Sequence, residues 1–221
     1  SIKELEIAKQ YIDNQPIKSI ELLGQYFKSN VKRITPQEEV ELYQLLGKAH
    51  YNLQQYDLAL QNFKKVESFS TSRSKLTKRI PLRIPQSLYY DIGKVYLAQE
   101  DWNSAIQALN RFLGQYKSED LLKGEGLLGL GQAHLGNGNF SEAMSYADQV
   151  IALAQALGND SLEGQGNLLK GRVLEERNEE ESLELYQQLW DDAVETRDVN
   201  TNRNVTEAMG KIGRASCRER V

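Results

Sequence analysis

Within apolar stretches of helical spacing, a small residue followed by a polar residue recurs five times along the chain at nearly constant intervals. The copies begin at residues 8, 47, 93, 131 and 171, so successive copies are 39, 46, 38 and 40 residues apart. A period of this length that continues along the chain is typical of an array of similar supersecondary units, each packed on its neighbours. The spacing therefore predicts a repeat architecture rather than a single irregular core.

Each copy has the pattern of two antiparallel helices. Leu42, Leu45 and Ala49 recur at the spacing of one helical face, and Ala59 and Phe63 begin a second such face. Two helices approach closely only where side chains are small, so Gly47 is expected to meet Ala59. No stretch alternates apolar and polar residues as a strand would. The sequence therefore predicts an all-α fold.

Composition and charge narrow the functional classes. The chain has 221 residues, 40% of them hydrophobic, and a formal net charge of -4. It contains no apolar run near the roughly 18 residues that a membrane span needs, and its negative charge argues against a dedicated nucleic-acid binder. One cysteine, Cys217, excludes a disulfide framework. A cytoplasmic location is expected, with a signal peptide left open because the chain does not begin with Met.

Two copies carry a further pattern of aromatic and small residues. One consists of Tyr43, Leu46-Gly47, His50, Ala59 and Phe63, and the other of Tyr89, Ile92-Gly93, Tyr96, Ala105 and Leu109. This pattern resembles the tetratricopeptide repeat (TPR) family. The resemblance implies a right-handed superhelical α-solenoid of antiparallel helix pairs. The period departs from the family's usual 34 residues and is nearer 40, as in extended repeats.

The repeat register also gives the domain organisation. Residues 1–211 are expected to form about five helix pairs and the start of a sixth, near Gly210. A basic inter-repeat loop is expected at residues 68–85, where two prolines and the long 46-residue spacing fall. Residues 212–221 can be back-translated into a string that resembles a sequencing adapter, so we expect this tail to be non-native and the chain to be an incomplete fragment.

No residue pattern predicts catalysis. His50 and His134 occupy the same repeat position, where packing explains them better than metal binding. The glycines between residues 124 and 131 fall in a helical pattern without the strand or the Gly-Lys-Ser/Thr of a phosphate loop. The glutamate run at residues 175–184 is typical of a solvated surface. We therefore expect no enzymatic activity, no cofactor and no metal site.

The resemblance also implies a binding surface. In TPR proteins the first helix of each pair lines a concave groove, and the residue after the glycine faces it. Here that column is basic, and it suggests charge-assisted bonds to an acidic segment. The alternative is that these lysines only solvate an exposed face. The predicted groove residues are Lys9, Lys48, Asn52, Tyr90, Lys94, Gln132 and Arg172.

Two functions from different classes follow from this surface. The first is a protein–protein interaction scaffold that binds a peptide or a partner domain in the concave groove, with no nucleic acid and no membrane segment involved. The second is the sensory or regulatory input region of a larger bacterial signalling protein, such as a histidine kinase or a transcription regulator. The two differ in whether an output domain follows the repeats.

Overall fold

The computed structural model describes residues 2–71, 82–176, 179–196, 199–200 and 203–210. Within these ranges the chain is helical and has no strand, as the sequence predicts. The helices, in chain order, are α1 (Ile2–Gln10), α2 (Pro16–Asn30), α3 (Pro36–Asn52), α4 (Tyr56–Thr71), α5 (Leu88–Ala98), α6 (Trp102–Gln115), α7 (Leu121–Gly136), α8 (Phe140–Leu157), α9 (Asp160–Glu175) and α10 (Glu179–Thr196). Residues 203–210, after α10, are also helical.

The helices belong to two compact units. The first unit, Ser1–Asp101, contains α1 to α5, and the second unit, Trp102–Val221, contains α6 to α10. Within each unit every helix packs on the next, and the odd-numbered helices also contact one another, α1 with α3, α3 with α5, and α7 with α9. This packing, in which the first helices of successive pairs touch, is that of an α-solenoid of antiparallel helix pairs. The predicted fold class is confirmed.

Small residues let the helices of the first unit approach closely. Ser19 is fully buried, and its hydroxyl donates to the carbonyl of Ala8 across 2.8 Å. A side chain at Gly47 would overlap the ring of Phe63, which is 1% exposed. The close approach predicted at Gly47 is thus present, and the ring of Phe63, four residues after Ala59 on α4, fills it.

Small residues at close helix contacts also occur in the second unit. Four glycines of α7 are buried, Gly124, Gly126, Gly129 and Gly131, and side chains at the first two would overlap Leu162 and Phe112 respectively. A side chain at Gly171 of α9 would overlap the ring of Tyr186. These glycines therefore lie inside helices and serve packing, as the sequence predicts.

The helix ends follow the predicted signals. Thr35 and Glu38 form a reciprocal capping box at the start of α3, with the Glu38 N–H donating to the Thr35 hydroxyl (3.2 Å) and the Thr35 N–H donating to the Glu38 carboxylate (2.8 Å). Pro36 occupies the first helical position, where it has no helical partner to lose. At the end of α7, Gly138 has a φ of 75°, a conformation that favours glycine and ends the helix.

The predicted loop at residues 68–85 is partly wrong. α4 continues to Thr71, because Phe69 packs its ring on Tyr43 with the centroids 6.5 Å apart. Residues 82–85 have no regular secondary structure. The Gln37 side-chain amide bonds both backbone groups of Arg83: the Arg83 N–H donates to Gln37 Oε1 (2.8 Å), and Gln37 Nε2 donates to the Arg83 carbonyl (3.1 Å). Residues 72–81 and 211–221, which include most of the basic loop and the expected tail, lie outside the described residues.

Candidate partner-binding surface

The odd-numbered helices carry every predicted groove residue. Lys9 is exposed in the last turn of α1, and Gln132 is half-buried in α7. Of the remaining residues, Lys48 and Lys94 lie on α3 and α5 of the first unit, and these two helices are in contact. The first unit therefore brings two of the predicted lysines onto neighbouring helices.

A buried carboxylate lies beside Lys48. The Asp91 side chain is 8% exposed, and its Oδ2 lies 3.5 Å from the Lys48 ammonium, which is 40% exposed. Gln44 Nε2 donates to the same oxygen (2.5 Å), as does the Ser87 hydroxyl (3.0 Å). We call these four residues the Asp91 cluster. Because the ion pair is anchored to a buried group, the partly exposed ammonium of Lys48 is held at the surface of α3.

Two tyrosines lie beside Lys94. Its ammonium lies 4.7 Å from the ring centroid of Tyr51 and 5.4 Å from that of Tyr90. Each distance is within the roughly 6 Å over which an aromatic face attracts a cation. Burial raises the pKa of the Tyr51 hydroxyl, with smaller contributions from Tyr56 and Asp91. The Tyr51 hydroxyl therefore remains neutral at physiological pH, and both rings orient the Lys94 ammonium.

The sequence did not predict that Asp91 and Tyr51 would contact Lys48 and Lys94. Asp91 stands in the mostly apolar stretch Leu88–Ala98, and a lone acidic residue there is the one signal that marks a buried polar group. Tyr51 follows His50 at the end of α3 and carries no sequence signal of its own. Its role depends on the packing of α3 on α5.

Asn52, whose groove role stays a prediction, also forms hydrogen bonds within the first unit. Its Nδ2 donates to the Ile12 carbonyl (3.0 Å) and to the Asp13 carboxylate (3.2 Å). These bonds join the end of α3 to the turn that follows α1. Its amide nitrogen is therefore used inside the first unit, where it fixes one repeat on the next.

Arg172 of the second unit lies in a separate setting. It is exposed on α9 and lines a cleft of about 420 Å³ together with Glu175, Glu176 and Glu207. Glu175 also accepts a hydrogen bond from the Tyr186 hydroxyl (2.6 Å). Burial, the larger effect, and this bond raise the pKa of Tyr186. Arg172 is thus surrounded by carboxylates, unlike Lys94.

The two histidines contact the turn within their own repeat. His50 Nδ1 lies 2.6 Å from Gln55 Oε1, and His134 Nδ1 lies 3.4 Å from Asn139 Nδ2. His134 also stacks on Tyr146 with the ring centroids 5.4 Å apart. Both side chains join the end of one helix to the start of the next, which fits the packing role predicted for them. In the part of the chain that the structure describes, no three His, Cys, Asp or Glu side chains are grouped to hold a metal ion.

The environment of Asp91 predicts a pH-dependent stability. Burial raises the pKa of its carboxyl group, against the lowering effects of Lys48, Ser87 and Lys94. The folded state therefore binds a proton more tightly than the unfolded state, whose pKa is about 3.9, so stability falls as the pH rises through the folded pKa. In urea titrations across this range, the wild type should lose stability with rising pH relative to Asp91→Asn. Parallel pH curves for the two proteins would contradict this effect of burial.

Stacked antiparallel helix pairs, with their first helices in contact, define a helical-repeat protein. TPR family models match residues 40–70, which cover most of α3 and α4, and residues 90–157, which cover most of α5 to α8. These two parts of the chain are tetratricopeptide repeats. Among the described residues, no helix combines the length and the apolar character needed to cross a membrane.

Solved structures share this fold at low sequence identity. The nearly identical TPR-like repeats of a Podosopora anserina protein assigned as a kinesin light chain have a TM-score of 0.67 and 20% identity, and the match covers 88% of this chain and 95% of that one. The apo form of RapI has a TM-score of 0.64 and 11% identity, with coverages of 94% and 58%. Bacillus thuringiensis PlcR, in complex with the peptide PapR7 and DNA, has a TM-score of 0.64 and 15% identity, with coverages of 94% and 74%. No curated protein matches the chain.

Proposed function

We propose that this chain is a protein–protein interaction scaffold, and that its first unit binds an acidic segment of a peptide or partner domain. The binding surface consists of Lys48, Tyr51, Tyr90, Asp91 and Lys94, which we call the lysine surface. The single observation that supports it most strongly is that the ammonium groups of Lys48 and Lys94 are both held by neighbouring side chains on two touching helices.

A held ammonium group binds a carboxylate better than a freely moving one. Lysine side chains lose roughly 2 kcal/mol of rotamer freedom when they are fixed. In the first unit much of that loss has occurred on folding, because Asp91 and the tyrosine rings already orient the two side chains. A charge-assisted hydrogen bond then contributes about 1.5–3 kcal/mol. Lysines that only solvated an exposed face would have no such partners.

The fold supports the same proposal. A solenoid presents its surface already folded, so a partner segment pays no cost of ordering the scaffold. The PlcR structure is a complex with the peptide PapR7 and DNA, which is compatible with peptide binding by a protein of this fold. TPR arrays are a non-enzymatic scaffold class, and binding to this surface needs no cofactor.

Charge reversal tests the proposal. Twelve-residue peptides are first selected from a phage-displayed random library on the intact chain, and the tightest one is synthesised. The double variant Lys48→Glu/Lys94→Glu should bind it roughly 100-fold more weakly, because two charge-assisted bonds of about 1.5 kcal/mol each are lost. Fluorescence anisotropy at several salt concentrations gives the dissociation constants. The salt dependence should also fall, because fewer ionic contacts remain.

The matched control reverses two other lysines. Lys64 and Lys65 are exposed on α4, an even-numbered helix, and Lys64→Glu/Lys65→Glu changes the net charge by the same amount. This control should keep the affinity within about twofold at physiological salt, where distant charges are screened. The neutral variant Lys48→Gln/Lys94→Gln separates loss of attraction from new repulsion near Asp91. Unchanged affinity in both the glutamate and the glutamine double variants of Lys48 and Lys94 would show that these lysines only solvate the surface.

A further inference from the structure

One dipeptide in the turn between α7 and α8 combines an amide side chain with an unhindered main-chain nitrogen. Asn137 precedes Gly138, and no other asparagine in the sequence is followed by glycine. Any other following residue carries a Cβ atom that hinders its main-chain nitrogen, whereas glycine has none. The side-chain amide of Asn137 is therefore the asparagine amide most easily reached by the next nitrogen of the main chain.

The surroundings of this dipeptide leave room for a reaction between the two groups. Asn137 and Gly138 are both exposed. Apart from the chain neighbours of Gly138, no heavy atom of the described residues lies within 4 Å of the position that a Cβ atom would take there. Asn137 Nδ2 donates to Asn103 Oδ1 across 3.3 Å, which is long for a hydrogen bond and holds the amide weakly. A ring formed at Asn137 would therefore meet no packed side chain.

Main-chain hydrogen bonds hold the same turn closed. The N–H groups of residues 137, 138 and 139 donate to carbonyls in the last turns of α7, at 3.0, 3.0 and 2.8 Å. Asn137 has a ψ of 3°, and a ring between its side chain and the Gly138 nitrogen requires a ψ far from this value. The reaction therefore needs a local opening of the turn, which exposed helix ends undergo more readily than a packed core.

We propose that Asn137 is a site of covalent modification by ring closure. When the turn opens, the Gly138 nitrogen bonds to Asn137 Cγ, the bond between Cγ and Nδ2 breaks, and ammonia leaves with the proton of the Gly138 nitrogen. Water then opens the cyclic imide. Cleavage at Cγ gives aspartate, and cleavage at the main-chain carbonyl gives isoaspartate, in which the main chain runs through the former side chain. Water is the one co-reactant, and no atom changes its oxidation state.

Both products disturb the pair formed by α7 and α8. Each places a carboxylate at the carboxyl end of α7, where the helix dipole disfavours negative charge. The turn also lines the cleft of the second unit that contains the carboxylates of Glu175, Glu176 and Glu207. Isoaspartate in addition lengthens the main chain by one carbon, which moves the three turn bonds out of register. The modified second unit is therefore less stable, whereas the lysine surface, in the first unit, is not part of this inference.

Timed incubation of the purified chain tests the site. The protein is kept at mildly alkaline pH and body temperature, sampled over several weeks and digested with trypsin. The tryptic peptide 124–170 contains Asn137 and three internal controls, Asn139, Asn159 and Asn167. Fragment masses should show a gain of about 1 Da at Asn137, at least roughly tenfold more often than at any control. A methyltransferase specific for isoaspartate should label the same peptide. Equal modification of the four asparagines would overturn the proposal.

The variant Asn137→Gln tests the effect on stability. Glutamine keeps the exposed amide, but its longer side chain closes a ring far more slowly. After the incubation, the wild type should lose about 3 °C or more in the midpoint of thermal unfolding, and the variant about 1 °C or less. Equal losses in the two proteins would overturn the link between the modified turn and stability. The comparison of the four asparagines uses the wild type alone, so it decides the site even where the variant does not fold.

Discussion

Replacing Ala59 with glutamate should unfold the first unit or destabilise it by about 4 kcal/mol or more. Ala59 is 0% exposed on α4 and precedes by four residues Phe63, whose ring packs at Gly47 of α3, so the two residues share a helix face. A glutamate there must either bury an unpaired charge or force the helices apart, and both costs belong to the largest known for single substitutions. Urea denaturation followed by far-ultraviolet circular dichroism measures the loss, and hydrogen exchange locates it in the first unit.

The adjacent residue supplies the control. Leu58 is 43% exposed on the same helix, so Leu58→Glu introduces the same charge one position away. It should change the free energy of unfolding by about 0.5–1 kcal/mol, as expected for an exposed site. If the two variants melted alike, the packed face of α4 would be assigned wrongly.

Gly47→Leu should destabilise the first unit by about 3 kcal/mol or more. The new side chain would overlap the Phe63 ring, and that ring has no free space to move into because it is 1% exposed. Overpacking of this kind costs about 1–3 kcal/mol and more where several atoms collide. Thermal or urea denaturation compared with wild type gives the value.

The same substitution at Gly24 should have the opposite sign. Gly24 lies within α2, and apart from its chain neighbours and the nearby backbone of α2, no heavy atom of the described residues lies within 4 Å of the position that a Cβ atom would take. Leucine is a far better helix former than glycine, so Gly24→Leu should stabilise the protein by about 0.5–1 kcal/mol. Equal losses at both glycines would contradict the assignment of the loss at Gly47 to its contact with Phe63.

The helices and their ends could be read from the sequence because both are local properties. Apolar periodicity located the paired helices, and the pattern Thr35-Pro36-Gln37-Glu38 located the start of α3 before any tertiary contact was known. The end of α4 was set too early because Phe69 continues the helix through a contact with Tyr43, which lies 26 residues before it. Local signals do not report such a contact.

The lysine surface could be predicted only in part for the same reason. The register placed Lys48 and Lys94 on successive first helices, and these helices do touch. It did not show that Asp91 and Tyr51 would meet the two ammonium groups, because those contacts depend on rotamers and on the spacing of α3 and α5. Asn52 was assigned to the groove by its position after Lys48, whereas its bonds to Ile12 and Asp13 need the preceding repeat in place.

The paired bonds between Gln37 and Arg83 bear on how this repeat tolerates variation. The Gln37 side-chain amide bonds only to the main-chain N–H and carbonyl of Arg83, and any non-proline residue at position 83 supplies the same two groups. The return of the chain into α5 is therefore anchored to α3 through the main chain at residue 83. Replacing Arg83 by a neutral non-proline residue removes its positive charge and keeps this anchor, so the charge of the surface before α5 can vary while α3 and α5 stay in register.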